Sequence, residues 1–158
     1  MSDLEVKREI IETVGAYVSA PSGTSMRPML REGIDTVRVE GYSGRLSRYD
    51  VALYARPDGK HVLHRVIRVT EDGYVIRGDN CDYTERGITD GMVIGRMVGF
   101  WRGEKYIPAD NRLYRLYVRV HTAFYPLRFL RIRVWKRLRR VLVRIPGLRA
   151  LWHLIRRR

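Results

Sequence analysis

Apolar positions recur in this chain with two different periods, and the changes of period mark its parts. Leu4, Ile10, Ile11, Val14 and Val18 return at roughly helical spacing among charged residues, which predicts a short amphipathic helix over residues 4 to 17. From Ala20 the pattern shortens to β-like runs at Thr36–Val39, Val51–Tyr54, Val62–Val69, Tyr74–Arg77 and Met92–Phe100. Turn signals separate them at Arg56-Pro-Asp-Gly59, Glu71-Asp-Gly73 and Arg102-Gly103. The run 62–69 alternates, so Val62, His64 and Val66 are expected on one face and Leu63, Arg65, Ile67 and Val69 on the other, with Arg68 joining the first set. After Asn111 the helical period returns with Leu113, Leu116, Tyr117, Val120 and Phe124. It breaks at Pro126 and resumes through Leu127, Leu130, Val134, Leu138, Val141, Leu142 and Ile145 until Pro146-Gly147, before a last segment, Leu148 to Arg158. The expected architecture is mainly β, with an N-terminal helix in residues 1–19, a β-domain in 20–110 and a helical tail in 111–158.

Charge divides the chain at the same place. It has 158 residues with a formal net charge of +14, yet residues 1 to 110 hold 16 basic and 17 acidic side chains, whereas residues 111 to 158 hold 15 basic and no acidic ones. A nearly neutral domain is thus followed by a strongly cationic tail, and the two need separate explanations. An apolar share of 45% is enough for a core and excludes a disordered chain. A single cysteine, Cys81, allows no intrachain disulfide, and no zinc site or other metal or cofactor chemistry is expected. Arginine interrupts every apolar stretch, so no transmembrane helix is predicted. The acidic N-terminus lacks the basic and apolar regions of a secretory signal, making the cytoplasm the default compartment.

The segment most suggestive of chemistry is Pro21-Ser-Gly-Thr-Ser-Met-Arg-Pro-Met-Leu30, which sets Ser25 between the flexible Gly23 and the rigid Pro28. A serine nucleophile needs a base from elsewhere in the fold. His64, inside an alternating strand, is the candidate; its ordinary alternative is a half-buried structural histidine.

Gly23-Thr-Ser-Met-Arg-Pro28 resembles the first box of the type I signal peptidases and the related self-cleaving repressors, where a Ser-Met pair carries the nucleophile. Five further segments follow in order. Glu32-Gly-Ile-Asp35 and Arg48-Tyr-Asp-Val-Ala-Leu-Tyr54 resemble the family's strand starts, and Leu63-His-Arg-Val-Ile67 the strand bearing the base. Gly78-Asp-Asn80 resembles the G-D-N box and Val93-Ile-Gly-Arg96 the closing strand. The resemblance covers about residues 20 to 100 and implies a signal peptidase/LexA-like β-domain with serine endopeptidase activity on a signal or leader-like peptide. Most bacterial members carry lysine where this chain has His64, so it is more similar to the histidine type. A histidine base needs little tuning to act near neutral pH, whereas a lysine must be shifted by several units.

The same resemblance implies an acid that orients His64. Glu85, before Arg86-Gly87, and Asp79 of the G-D-N box stand equal, with Asp82 third; the alternative role for Asp79 is a turn carboxylate capping backbone amides. For the oxyanion it implies the Ser25 N–H. A helper hydroxyl two residues earlier is absent because that position is Gly23, leaving Thr24 or Ser22 to substitute. Gly33, Asp35 and Asp50 are expected to shape turns.

The tail, residues 112 to 158, has three readings. Leucine, valine and the tryptophans Trp135 and Trp152 among arginines suit a helix lying in the plane of an anionic membrane surface, which would hold the protein on the inner face of the membrane. Nucleic acid ranks behind it, because the tail is rich in large aliphatic residues. The third reading is packing on the β-domain or on a partner protein. For the whole chain, the alternative to a peptidase is a catalytically inactive adaptor, associated with membrane or nucleic acid, that keeps the Ser25 loop as a peptide-binding turn.

Overall fold

The computed structural model describes residues 3–144; side chains are described from Glu5 through Leu130 and at Val134, Trp135, Arg137 and Arg140 thereafter. Trp152, the Pro146-Gly147 stop and the segment from Leu148 lie outside the described residues. The elements are α1 (Asp3–Val14), β1 (Ala16–Ser19), β2 (Thr36–Glu40), β3 (Val51–Ala55), β4 (His61–Thr70), β5 (Gly73–Arg77), β6 (Glu85–Ile88), β7 (Val93–Arg102), β8 (Lys105–Pro108), α2 (Arg112–Ala123) and α3 (Tyr125–Arg144). The protein is mainly β, and among the described residues an eight-stranded antiparallel sheet is joined by three α-helices.

Helix α1 stops at Val14, three residues short of the periodicity's end. Gly15 takes φ +80° and its N–H donates to the Ile11 carbonyl at 3.0 Å, an ending that glycine adopts without Cβ strain. The Ala-Tyr-Val-Ser run that follows is then free to pair with β2 as β1, from Ala16 opposite Glu40 to Ser19 opposite Val37. Pro126 sits in the first turn of α3, where its missing N–H costs nothing, so the chain breaks only at Phe124.

The sheet order is β1-β2-β7-β3-β4-β5-β6, with β8 also on β7. Strand β7 holds β2 along one edge; β3 and then β8 share the other. Strand β3 is buried on both faces, which is why Val51-Ala-Leu-Tyr reads as a continuous apolar run. Val51 and Leu53 enter one cluster with Met26, Met29, Leu30, Phe100 and Tyr114. Ala52 and Tyr54 enter another with Val66, Tyr74, Ile76 and Ile88. Each large side chain so buried contributes roughly 1.5–3 kcal/mol. In β4 the alternation holds through Val66, then a bulge between Val66 and Arg68 shifts the register against β5. His64 and Arg65 therefore project to opposite faces and into different clusters.

The chain divides into two compact units, Met1–Arg119 and a second beginning at Val120. No helix among the described residues is long and apolar enough to cross a membrane.

Candidate functional site

The Ser25 loop is irregular but anchored. Met26, Met29 and Leu30 are buried in the core, leaving Ser25 half-buried between them and the surface. The Gly23 N–H donates to Glu32 Oε1 at 2.6 Å, and the Arg27 N–H to the Thr24 carbonyl at 3.2 Å. The Gly78-Asp-Asn80 turn clamps the loop from the other side. The Asn80 N–H donates to the Ser25 carbonyl at 2.7 Å and Asn80 Nδ2 to the Thr24 carbonyl at 3.2 Å. Two sequence-distant boxes are thus tied by the backbone and side chain of Asn80 to backbone carbonyls of the loop, which fixes where the serine sits.

His64 lies on β4 opposite Ala52 and is 2% exposed. Its Nδ1 is 3.1 Å from Glu85 Oε1 and 3.3 Å from the Tyr54 hydroxyl. Glu85 is itself held by Arg56, whose Nε donates to Oε2 at 2.7 Å and whose Nη2 donates to Oε1. With the Nδ1–H donating to the carboxylate, the neutral ring carries its free lone pair on Nε2. That atom faces Gly78. A Cβ on Gly78 would stand 2.8 Å from His64 Nε2, 2.8 Å from the Ser25 carbonyl oxygen and 2.7 Å from Cys81 Sγ. The absent side chain keeps a gap between the imidazole and the serine loop, and Ser25 and His64 line one cavity of about 210 Å³. Its apolar wall includes Met26, Leu30, Val62 and Leu63, and its polar end Arg56 and Tyr83.

Gly78→Ala is accordingly expected to displace the serine loop or the ring. A displacement near 1 Å costs on the order of 10²-fold in rate where two side chains must meet for catalysis, so any activity that couples Ser25 to His64 should fall by about that factor. An unchanged rate in a correctly folded variant, measured beside its thermal unfolding, would show that the gap is not needed.

Burial pushes the His64 pKa below its ordinary value; the Glu85 charge and hydrogen bond oppose this in part, and the Arg56 charge adds to it. For Glu85, burial acts to raise the pKa, but hydrogen bonds from Arg56 and Tyr54 and the Arg56 charge outweigh it and hold the carboxyl below the usual range. Burial and the neighbouring Glu85 push the Tyr54 phenol up, so it stays a donor. At neutral pH the site therefore presents an ionised acid, a neutral imidazole and a serine beside it.

The two acids that stand equal in the sequence occupy different places. Glu85 meets His64. Asp79 accepts from Arg65, Nε to Oδ1 at 2.8 Å and Nη2 to Oδ2 at 2.6 Å, with both side chains fully buried. Asp82 is exposed. Ser22 lines the cavity beside Ser25, whereas Thr24 is not among its lining residues. Asp35 accepts the Arg31 N–H at 2.9 Å and Asp50 the Ser47 N–H at 2.8 Å, and Gly33 takes φ +71°, all in turns.

Arg56 and Tyr54 carry part of this arrangement, although the sequence singled out neither as a site residue. Tyr54 was within reach of strand reasoning: Ala52 and Tyr54 share a face, and Ala52 pairs with His64. Arg56 sits in a turn, and only the folded chain brings it to Glu85. No group of His, Cys, Asp or Glu able to hold a metal occurs among the described residues. No protein-family model matches the chain, and no curated protein matches it either.

Proposed function

We propose that this protein is a serine endopeptidase with a signal peptidase/LexA-like β-domain, related to the histidine type of the type I signal peptidases, and that it cuts a signal or leader-like peptide. The observation that carries the reading is the His64 ring, tied at Nδ1 to Glu85 and presenting Nε2 toward the Ser25 loop across Gly78. In this mechanism Nε2 takes the Ser25 hydroxyl proton as Oγ attacks a peptide carbonyl. The proton passes to the leaving amine, the acyl-enzyme forms, and Nε2 then activates the water that releases it. Glu85 orients the ring and stabilises the imidazolium, and Arg56 positions Glu85. The Ser25 N–H, with Ser22 nearby, is assigned to the oxyanion. A cavity of about 210 Å³ favours small side chains beside the cut.

The test presents a proteome-derived peptide library to the wild type and to Ser25→Ala, with new N-termini read by mass spectrometry. Cuts present only with the wild type are expected, and they identify the substrate class. Identical profiles from two correctly folded proteins would sink the peptidase reading and turn attention to an adaptor.

A further inference from the structure

Helix α2 divides its circumference three ways. At about 100° per residue, Tyr114 and Val118 form one sector, Arg112, Arg115 and Arg119 a second, and Leu113, Leu116 and Val120 a third. The first sector is buried, whereas the apolar third is open, with Leu113 77%, Leu116 58% and Val120 48% exposed. Phe124 follows it, also exposed. Helix α3 repeats the arrangement. Tyr125 and Phe129 are buried and stacked on each other, while Leu127, Leu130 and Val134 form an exposed row at the same helical spacing, with Arg137 and Arg140 exposed beyond it. Leaving so many aliphatic side chains in water on two successive helices is not ordinary surface composition.

The charge around these rows points to their occupant. No acidic residue occurs after Asp110, against 15 basic ones. Within the first unit, Arg115 and Arg119 also line a cavity of about 510 Å³ whose other walls bring in Arg48 and Arg96. Asp50 and Asp110 line it too, so guanidinium groups outnumber carboxylates there by two. Arg48 stacks on the Tyr49 ring, and Arg96 reaches Asp50 only at 3.8 Å. Phosphate-bearing headgroups suit such a cluster, and acyl chains suit exposed leucine rows. A nucleic acid would use the arginines but leave the leucines in water, and a protein partner would have to be acidic as well as apolar.

We infer that α2 and α3 are each a docking helix for an anionic phospholipid bilayer, each laying its own apolar row, Leu113, Leu116 and Val120 in α2 and Leu127, Leu130 and Val134 in α3, into the acyl boundary while arginines take the headgroup phosphates. No spanning helix is required. The inference does not depend on the peptidase reading.

The experiment is co-sedimentation of the full chain with vesicles of phosphatidylcholine alone or mixed with phosphatidylglycerol. Binding to the mixed vesicles is expected, with little to the zwitterionic ones, and with partial loss as salt is raised. The variant Leu113→Gln, Leu116→Gln, Leu127→Gln, Leu130→Gln changes only exposed side chains and should fold, which circular dichroism checks. Its partition onto mixed vesicles should drop by roughly tenfold or more. Equal binding by wild type and variant would overturn the proposal. So would binding to neither vesicle, whether the chain then binds a nucleic acid instead or the substitutions alter only its self-association.

Discussion

Ser25→Ala and His64→Gln are each expected to lower kcat/KM for peptide cleavage by roughly 10³-fold or more, and the double variant by no more than the worse single one. The reason is that a serine hydroxyl is a weak nucleophile until a base removes its proton, so removing either partner removes the same step. Additive losses would mean that the two side chains act independently, which the proposed mechanism does not allow. Glu85→Gln is expected to cost less, on the order of 10²-fold, because the amide can still touch Nδ1 but no longer stabilises the imidazolium. The pH profile carries a sign that a merely structural role would not produce. Burial already holds the His64 pKa below its ordinary value, so the acid limb of wild-type kcat/KM should fall below about 6.5. Glu85 is the charge that raises this pKa, and Arg56 lowers it. Removing the carboxylate therefore moves the limb to still lower pH while the plateau drops. A limb that stays in place, or moves up, would separate Glu85 from the ring. Asp79→Asn should move it far less, since both Asp79 oxygens are engaged by Arg65.

What was legible in the sequence followed from periodicity, and what was not depended on pairing. Strands β3, β4, β5 and β7 bury apolar residues in runs that alternation or continuity exposes. Strand β6 offers no such run: Glu85-Arg-Gly-Ile places only Ile88 in the core and lies at the edge of the sheet. Yet β6 delivers the acid. Glu85 pairs with Ile76, Ile76 pairs with Val66, and Val66 shares its face of β4 with His64, so the acid reaches the imidazole from β6 across β5 to β4. Asp79 belongs to the G-D-N signature itself, but its carboxylate joins Arg65, which projects from the opposite face of β4. Motif order alone cannot make that choice, because it contains no information about faces across strands. Strand β8 and the pairing of β1 escaped for a similar reason, each being four residues long with little fully buried. In the tail the helical period was plain, but which apolar row would be covered was not. Tyr114, Val118, Tyr125 and Phe129 are buried, while the equally apolar leucines beside them are not.

The Arg65–Asp79 pair carries the second large effect, on stability. Arg65 is fully buried and donates to Asp79, to the Tyr49 carbonyl at 3.0 Å, to the Tyr114 hydroxyl at 3.1 Å and to Met29 Sδ at 2.9 Å. Such a pair adds little net stability against an apolar replacement, because two charges must leave water; breaking it is another matter, because one charge then remains buried. Arg65→Met is expected to lower the unfolding free energy by about 3–5 kcal/mol, and Asp79→Leu by a similar amount. Arg65→Met with Asp79→Leu should recover much of that loss, since neither charge is stranded. Urea titration of the four proteins measures the coupling, and single-variant losses below about 1 kcal/mol would contradict the burial of the pair. Activity should not follow stability in the double variant. Asp79 belongs to the turn whose Asn80 N–H holds the Ser25 carbonyl at 2.7 Å and whose Gly78 spaces that loop from Nε2. An apolar pair fills the same volume but has no directional bond to set the turn, so the double variant should be stable again while its kcat stays low. On this account the ion pair is kept for the position of the serine loop rather than for the free energy of folding.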